Sequence, residues 1–95
     1  METQIQYTRQ FRKDVAKLPE RLQEKVDLWI ASVQSYGLAA TQQVASYRDE
    51  ALKGNRKGQR SFRLNRQWRV IYTEDHAQCI TLTLLEVTPH DYRTR

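Results

Sequence analysis

Cysteine is nearly missing from this chain: Cys79 stands alone, which excludes an intramolecular disulfide framework and a cysteine-based zinc site. No run of apolar residues approaches the roughly 18 that a membrane span requires. The N-terminus also lacks the basic-then-apolar order of a secretory signal. There is no internal repeat and no low-complexity segment. These absences lead to the expectation of a cytoplasmic chain that needs no disulfide, metal or other cofactor. What is present suits folding. Of the 95 residues, 39% are apolar, too many for a disordered chain, and the length fits a single domain spanning 1–95.

The 16 Lys and Arg against 11 Asp and Glu leave a net charge of +5, and its location says more than its size. Residues 1–52 balance seven acids with seven bases. Residues 53–73 carry Lys53, Arg56, Lys57, Arg60, Arg63, Arg66 and Arg69 with no acid between them. Residues 74–95 are net acidic. The whole excess therefore lies in one stretch of the chain.

Hydrophobic periodicity predicts an α+β domain. Ile5-Gln6-Tyr7 reads as a short strand, and Thr8 as the N-cap of a helix with Phe11, Val15 and Leu18 on one face. Pro19 breaks that helix and suits the first turn of the next. There Leu22, Val26, Trp29, Ile30 and Val33 form a 3.6-residue stripe that Gly37 ends. Leu38 to Ala51 reads as a loop with a helical turn, and Gly54 and Gly58 mark a bend-rich connection. Period-2 alternation then marks strands around Phe62 and Leu64, through Trp68, Val70 and Tyr72, and through Ile80, Leu82 and Leu84 to about Val87. Asn65-Arg66-Gln67 and Glu74–Ala77 are the turns, and Pro89 stops the last strand. The expected architecture is two N-terminal helices packed on a small antiparallel sheet, whose open face carries Arg63 and Arg69.

A run of cations without acids is either a solvated surface or a site for a polyphosphate backbone, where each contact releases condensed counterions. Arginines on regular strands favour the second reading. Trp68 and Tyr72 have the parity opposite to Arg69, which makes them core residues rather than platforms for bases. Beyond the last strand, His90 and Tyr92 flank Asp91. A histidine titrating near neutrality, a tyrosine and a strip of arginines suit phosphodiester cleavage. That reaction needs a base, cations for the charged transition state and an acid for the leaving oxygen. Glu50 directly precedes the basic stretch. Glu86 shares the parity of Leu82 and Leu84, which would turn it from water unless it anchors an arginine. His76 reads as a turn residue and Cys79 as a small core residue.

With these residues in view, the chain resembles toxins of the RelE/ParE superfamily of bacterial type II toxin–antitoxin modules. The resemblance rests on Glu50-Ala51-Leu52-Lys53-Gly54-Asn55, Gly58-Gln59-Arg60-Ser61, Trp68-Arg69-Val70-Ile71-Tyr72 and the tail His90-Asp91-Tyr92. The order helix, helix, basic meander and short tail extends it over nearly the whole chain. It implies a RelE-like microbial ribonuclease-type fold. The superfamily has two branches. Metal-independent mRNA interferases of the RelE, YoeB and HigB kind mostly cut messages in the ribosomal A site, whereas ParE poisons DNA gyrase.

The stretch from Glu50 to Tyr72 is most similar to YoeB. Carried across, the resemblance makes Glu50 the general base and Arg69 the ligand of the scissile phosphate. His90 and Tyr92 fall near the leaving group, with either one as the acid, because Asp91 separates two residues that are adjacent in YoeB. Lys53, Arg56, Lys57, Arg60 and Arg63 become RNA-binding residues, and Lys53, Lys57 and Arg63 could also serve as RelE's lysines and arginines do. The implied activity is 2′-hydroxyl attack on mRNA, probed against two other classes: a gyrase-directed toxin and a nucleic-acid-binding module without chemistry. The implied partners are the message, the ribosomal A site and a cognate antitoxin whose acidic segment covers the basic face in a hetero-oligomer.

Overall fold

A computed structural model describes residues 3–89. The chain begins with strand β1 (Thr3–Tyr7), followed by helices α1 (Arg9–Ala16), α2 (Glu20–Tyr36) and the short α3 (Leu38–Gln42). Strands β2 (Glu50–Ala51), β3 (Arg60–Arg63), β4 (Trp68–Asp75) and β5 (Ile80–Pro89) complete it, with 3₁₀ turns at Ala45–Tyr47 and Gly54–Arg56. The strands form one sheet in the order β1-β5-β4-β3-β2.

Local chemistry sets the helix ends. Thr8 caps α1 by accepting the Phe11 N–H at 2.9 Å, as its position predicts. The Pro19 carbonyl starts α2 by accepting from the Leu22 and Gln23 amides. Gly37 separates α2 from α3 at φ 94° and ψ 161°, a conformation that only glycine adopts readily. The segment expected to be a loop with one helical turn thus begins with α3.

The predicted meander is β3-β4-β5, but the sheet is mixed rather than antiparallel. β1 pairs with β5 in parallel, from Thr3 opposite Ile80 to Tyr7 opposite Leu84. The chain leaves β1 into the helices and returns only after the other strands, so no hairpin constrains the two to run oppositely. β2 adds an edge of two residues beyond β3.

The helices cover one sheet face. Trp29 of α2 is fully buried and lies flat against Phe62 of β3, with ring centroids 4.2 Å apart and planes 6° apart. Tyr72 of β4 tilts against the same indole at 5.1 Å. Such aromatic pairs contribute about 0.5–1.5 kcal/mol beyond their buried area. Leu22, Val26, Val33, Leu64, Val70, Leu82 and Leu84 fill the layer around them. Lys25 ties α2 to the β3–β4 hairpin by donating to the Leu64 carbonyl at 2.7 Å. The hairpin is an Asx turn: Asn65 Oδ1 accepts the amides of Gln67 and Trp68. That side chain supplies the turn chemistry that Arg66 and Gln67 lack.

One irregularity changes which face a residue occupies. Ile71 pairs with Glu86 but Tyr72 pairs with Leu84, which leaves Leu85 as a bulge in β5. α1 holds the bulge in place. Thr8 Oγ1 donates to the Leu85 carbonyl at 2.6 Å, and Asp14 Oδ2 accepts the Val87 N–H at 2.9 Å. The expectation that Glu86 shares the core parity of Leu84 is corrected by this extra residue. Val87 takes the core position and Glu86 turns to the opposite face.

A candidate active-site cleft on the open sheet face

The face of the sheet away from the helices is organised by strand register. One row runs Glu50, Ser61, Ile71, Glu86, and the next runs Arg63, Arg69, Thr88. The rows lie two residues apart along β3, roughly 6.5 Å. Glu50, Arg63 and Arg69, three residues singled out from the sequence, therefore share one face. They border a cleft of about 450 Å³ whose walls also include Arg48, Asp49, Ser61 and Trp68.

The electrostatics of the cleft are unfavourable without a ligand. Arg63 and Arg69 are directly opposite on antiparallel strands, an arrangement of like charges that destabilises a sheet by about 0.2–1 kcal/mol. Arg69 Nε is also buried and has no hydrogen-bond partner among the described residues. Glu50 makes no side-chain hydrogen bond or ion pair among the described residues and is exposed. A pair of guanidinium groups, one with a covered and unused donor, next to an unengaged carboxylate is suited to a bound oxyanion and a proton acceptor.

The other predicted cations fall elsewhere. Arg60 lies on the opposite face of β3, where its Nε and Nη2 bond Asp49 Oδ1 at 2.8 and 2.7 Å. With Nε and Nη2 committed to a buried carboxylate and the side chain three-quarters covered, Arg60 forms an internal ion pair where an RNA contact was expected. Arg56 bridges to Glu86 at 3.0 Å across the open face, and both side chains remain about one-third exposed (35% and 33%). The anchoring arginine foreseen for Glu86 is thus Arg56, reached because the bulge turned Glu86 outward. Lys53 and Lys57 are exposed in the connection between β2 and β3 and do not line the cleft. His90 and Tyr92, with Asp91 between them, lie outside the described residues. His76 meets Glu74 at 3.2 Å on the surface.

Four cleft residues were not singled out as functional from sequence: Ser61, Trp68, Arg48 and Asp49. Trp68 packs partly against the core, as its parity indicates, and also borders the cleft. Arg48 precedes the acid-free stretch and escapes a search for runs of charge. It sits at φ 45°, a left-handed conformation that costs a non-glycine residue on the order of 1–3 kcal/mol. Asp49 looks like a loop acid next to Glu50, yet its side chain is fully buried.

Asp49 Oδ2 accepts the Tyr72 hydroxyl at 2.6 Å, and Gln42 donates to that hydroxyl at 3.1 Å. Burial pushes the Asp49 carboxyl above the ordinary carboxylate value, while the bonds from Tyr72 and Arg60 pull it back. Burial, and then the Asp49 carboxylate, push the Tyr72 phenol well above its usual range. Burial works against the Arg60 charge, but its bonding to Asp49 more than restores it, leaving that guanidinium above its ordinary value. Among the described residues no group of three or more His, Cys, Asp or Glu side chains is placed to hold a metal ion. No described helix is long and apolar enough to cross a membrane.

Helices on one side of a five-stranded mixed sheet give the α+β fold of RelE-like toxins. The chain is similar in structure to YafQ from E. coli strain BL21(DE3), with a TM-score of 0.74, 23% identity and 94% of each chain covered. It is similar to the YoeB/ParE toxin from Agrobacterium tumefaciens, with a TM-score of 0.72 at 20% identity, over 93% of this chain and 99% of that one. The same fold occurs in the E. coli DinJ-YafQ toxin-antitoxin complex, with a TM-score of 0.73, 23% identity, and 95% and 94% covered. A sequence comparison with curated proteins found no match. The sequence model of the family described as bacterial toxin of type II toxin-antitoxin system, YafQ, matches residues 3–92. The chain belongs to this YafQ toxin family, within the RelE/ParE superfamily that its motifs resemble.

Proposed function

We propose that this toxin is a metal-independent endoribonuclease that cleaves mRNA at the ribosome. The observation that carries the reading is the cross-strand pair Arg63 and Arg69, with the buried, unused Nε of Arg69, beside the unengaged carboxylate of Glu50. Glu50 takes the proton of a ribose 2′-hydroxyl, and the oxygen attacks the adjacent phosphorus. Arg69 and Arg63 neutralise the charge that builds on the non-bridging oxygens. His90 or Tyr92 gives a proton to the departing 5′-oxygen, leaving a 2′,3′-cyclic phosphate and a free 5′-hydroxyl. Lys53 and Lys57 hold the backbone by charge, and Arg56 contributes through its exposed third while bridged to Glu86.

The partner that silences the toxin is an antitoxin with an acidic segment that lies over the basic face. Solved complexes of relatives, E. coli DinJ-YafQ and the Staphylococcus aureus YoeB-YefM complex, support an antitoxin as the partner. Steering between opposite charges makes the association fast and sensitive to salt.

The test is cleavage of a message on translating ribosomes by the unaltered toxin, Glu50→Gln, Arg69→Ala and Tyr92→Phe. Loss of a phosphate-stabilising donor is expected to lower the rate by about 10²–10³, and loss of a general base or acid by about 10²–10⁴. A message with a 2′-deoxy nucleotide at the cut position should bind and remain whole. Intact messages together with a DNA-damage response in cells would overturn the reading in favour of a gyrase-directed toxin.

A further inference from the structure

We propose that Asp49 is a positioning residue for the cleft, its buried carboxylate fastening the edge segment 48–51 to the core so that Glu50 is presented on the opposite face. The inference rests on the reading of Glu50 as the base and explains how an exposed side chain on so little structure can act as one. β2 consists of only Glu50 and Ala51, both exposed, paired with a single neighbouring strand. The Glu50 side chain makes no hydrogen bond or ion pair among the described residues that would fix it.

The fastening lies one residue earlier. Asp49 and Ala51 share the face towards the helices and Glu50 takes the other, because successive residues of an extended chain alternate. Both oxygens of Asp49 are used: Oδ1 by Arg60 Nε and Nη2, and Oδ2 by the Tyr72 hydroxyl. Arg60 comes from β3 and Tyr72 from β4, two strands that also carry Arg63 and Arg69. The clamp thus ties the proposed base to the same strands that present the phosphate-binding arginines. The strained Arg48 backbone at φ 45° is held next to this anchor.

Asparagine at position 49 removes the charge that pairs with Arg60 and replaces one of the two acceptors by an amide donor, so the Tyr72 hydroxyl can no longer donate to that position and the clamp is weakened. Displacement of a reacting group by about 1 Å can lower a rate on the order of 10²-fold. In single- and multiple-turnover RNA cleavage, Asp49→Asn is expected to lower kcat by about that factor with KM changed less than about twofold. Because Asp49 acts through Glu50, the loss should shrink to a few-fold in a Glu50→Gln background. Where Glu50→Gln itself lowers the rate, an equal loss in both backgrounds overturns the proposal.

Hydrogen exchange separates this proposal from the reading it rests on. The Leu52 amide, bonded to the Gln59 carbonyl at 2.9 Å, reports the edge segment. Asp49→Asn should accelerate exchange at Leu52 while leaving Val70 and Leu82 unchanged. If Glu50→Gln cleaves at full rate, Glu50 is not the base, and Leu52 exchange alone then decides the anchor: acceleration upholds it and no change overturns it. Tyr72→Phe removes one donor and keeps the ring in the core, and it is judged by the same measurements should Asp49→Asn not fold.

Discussion

Arg69→Met is expected to make the toxin more stable and inactive at once. The substitution keeps an unbranched stem of moderate length and removes the charge. In the unaltered protein Arg69 is the direct cross-strand neighbour of Arg63, a like-charge pairing that costs about 0.2–1 kcal/mol. Its covered Nε has no partner among the described residues, and an unsatisfied buried donor costs about 1–3 kcal/mol. Both side chains are half-buried, and salt screens their repulsion, so the lower part of the combined range applies: a gain of about 1–2 kcal/mol. For a domain of this size that corresponds to a rise in Tm of roughly 4–15 °C.

The assay is thermal unfolding by circular dichroism at low salt, beside ribosome-dependent cleavage, where the same variant should lose about 10²–10³ in rate. Inorganic phosphate supplies the internal control. It should raise the Tm of the unaltered toxin by mass action on the folded state and have little effect on Arg69→Met. A variant less stable than the unaltered protein by 1 kcal/mol or more would refute the reasoning, since it would mean that Arg69 is satisfied in the free toxin. An equal phosphate response in both proteins would refute the oxyanion site.

Two further outcomes test the packing around the cleft. Tyr72 is held protonated above its ordinary value, so its contribution to stability is fully present below the unfolded pKa of about 10 and is lost as pH rises through the folded value. Denaturant midpoints should therefore fall more steeply above about pH 10 for the unaltered protein than for Tyr72→Phe, and identical slopes would exclude Tyr72 as the source. Asp14→Ala removes the acceptor of the Val87 amide at the β5 bulge and should cost about 1–2 kcal/mol in urea unfolding; a loss below about 0.3 kcal/mol would show that the bulge needs no support from α1.

Much of the molecule follows from short-range patterns. Thr8 caps its helix three residues away, Gly37 ends α2, and the stripe of Leu22, Val26, Trp29 and Val33 is the buried face of that helix. The alternation around Arg63 and Arg69 placed both on one open face, and the chain motifs indicated the superfamily. Each of these signals acts within a few residues, where periodicity and capping chemistry apply.

Other features depend on residues far apart in the chain. The bulge at Leu85 is held by Thr8 and Asp14, more than 70 positions away, and it decides that Glu86 meets Arg56 instead of the core. β2 is too short to show a period and exists because β3 offers it an edge. Asp49 resembles any loop acid until Tyr72, 23 residues on, and Arg60 close over it. By itself the amino-acid sequence determined the two longer helices, the meander and the basic face, because those follow from the local geometry of helix and strand. Only the tertiary structure decided which charges are consumed internally and which remain for a ligand. A charge is neutralised by whatever the fold brings within hydrogen-bond reach, and strand register and one bulge set that proximity here.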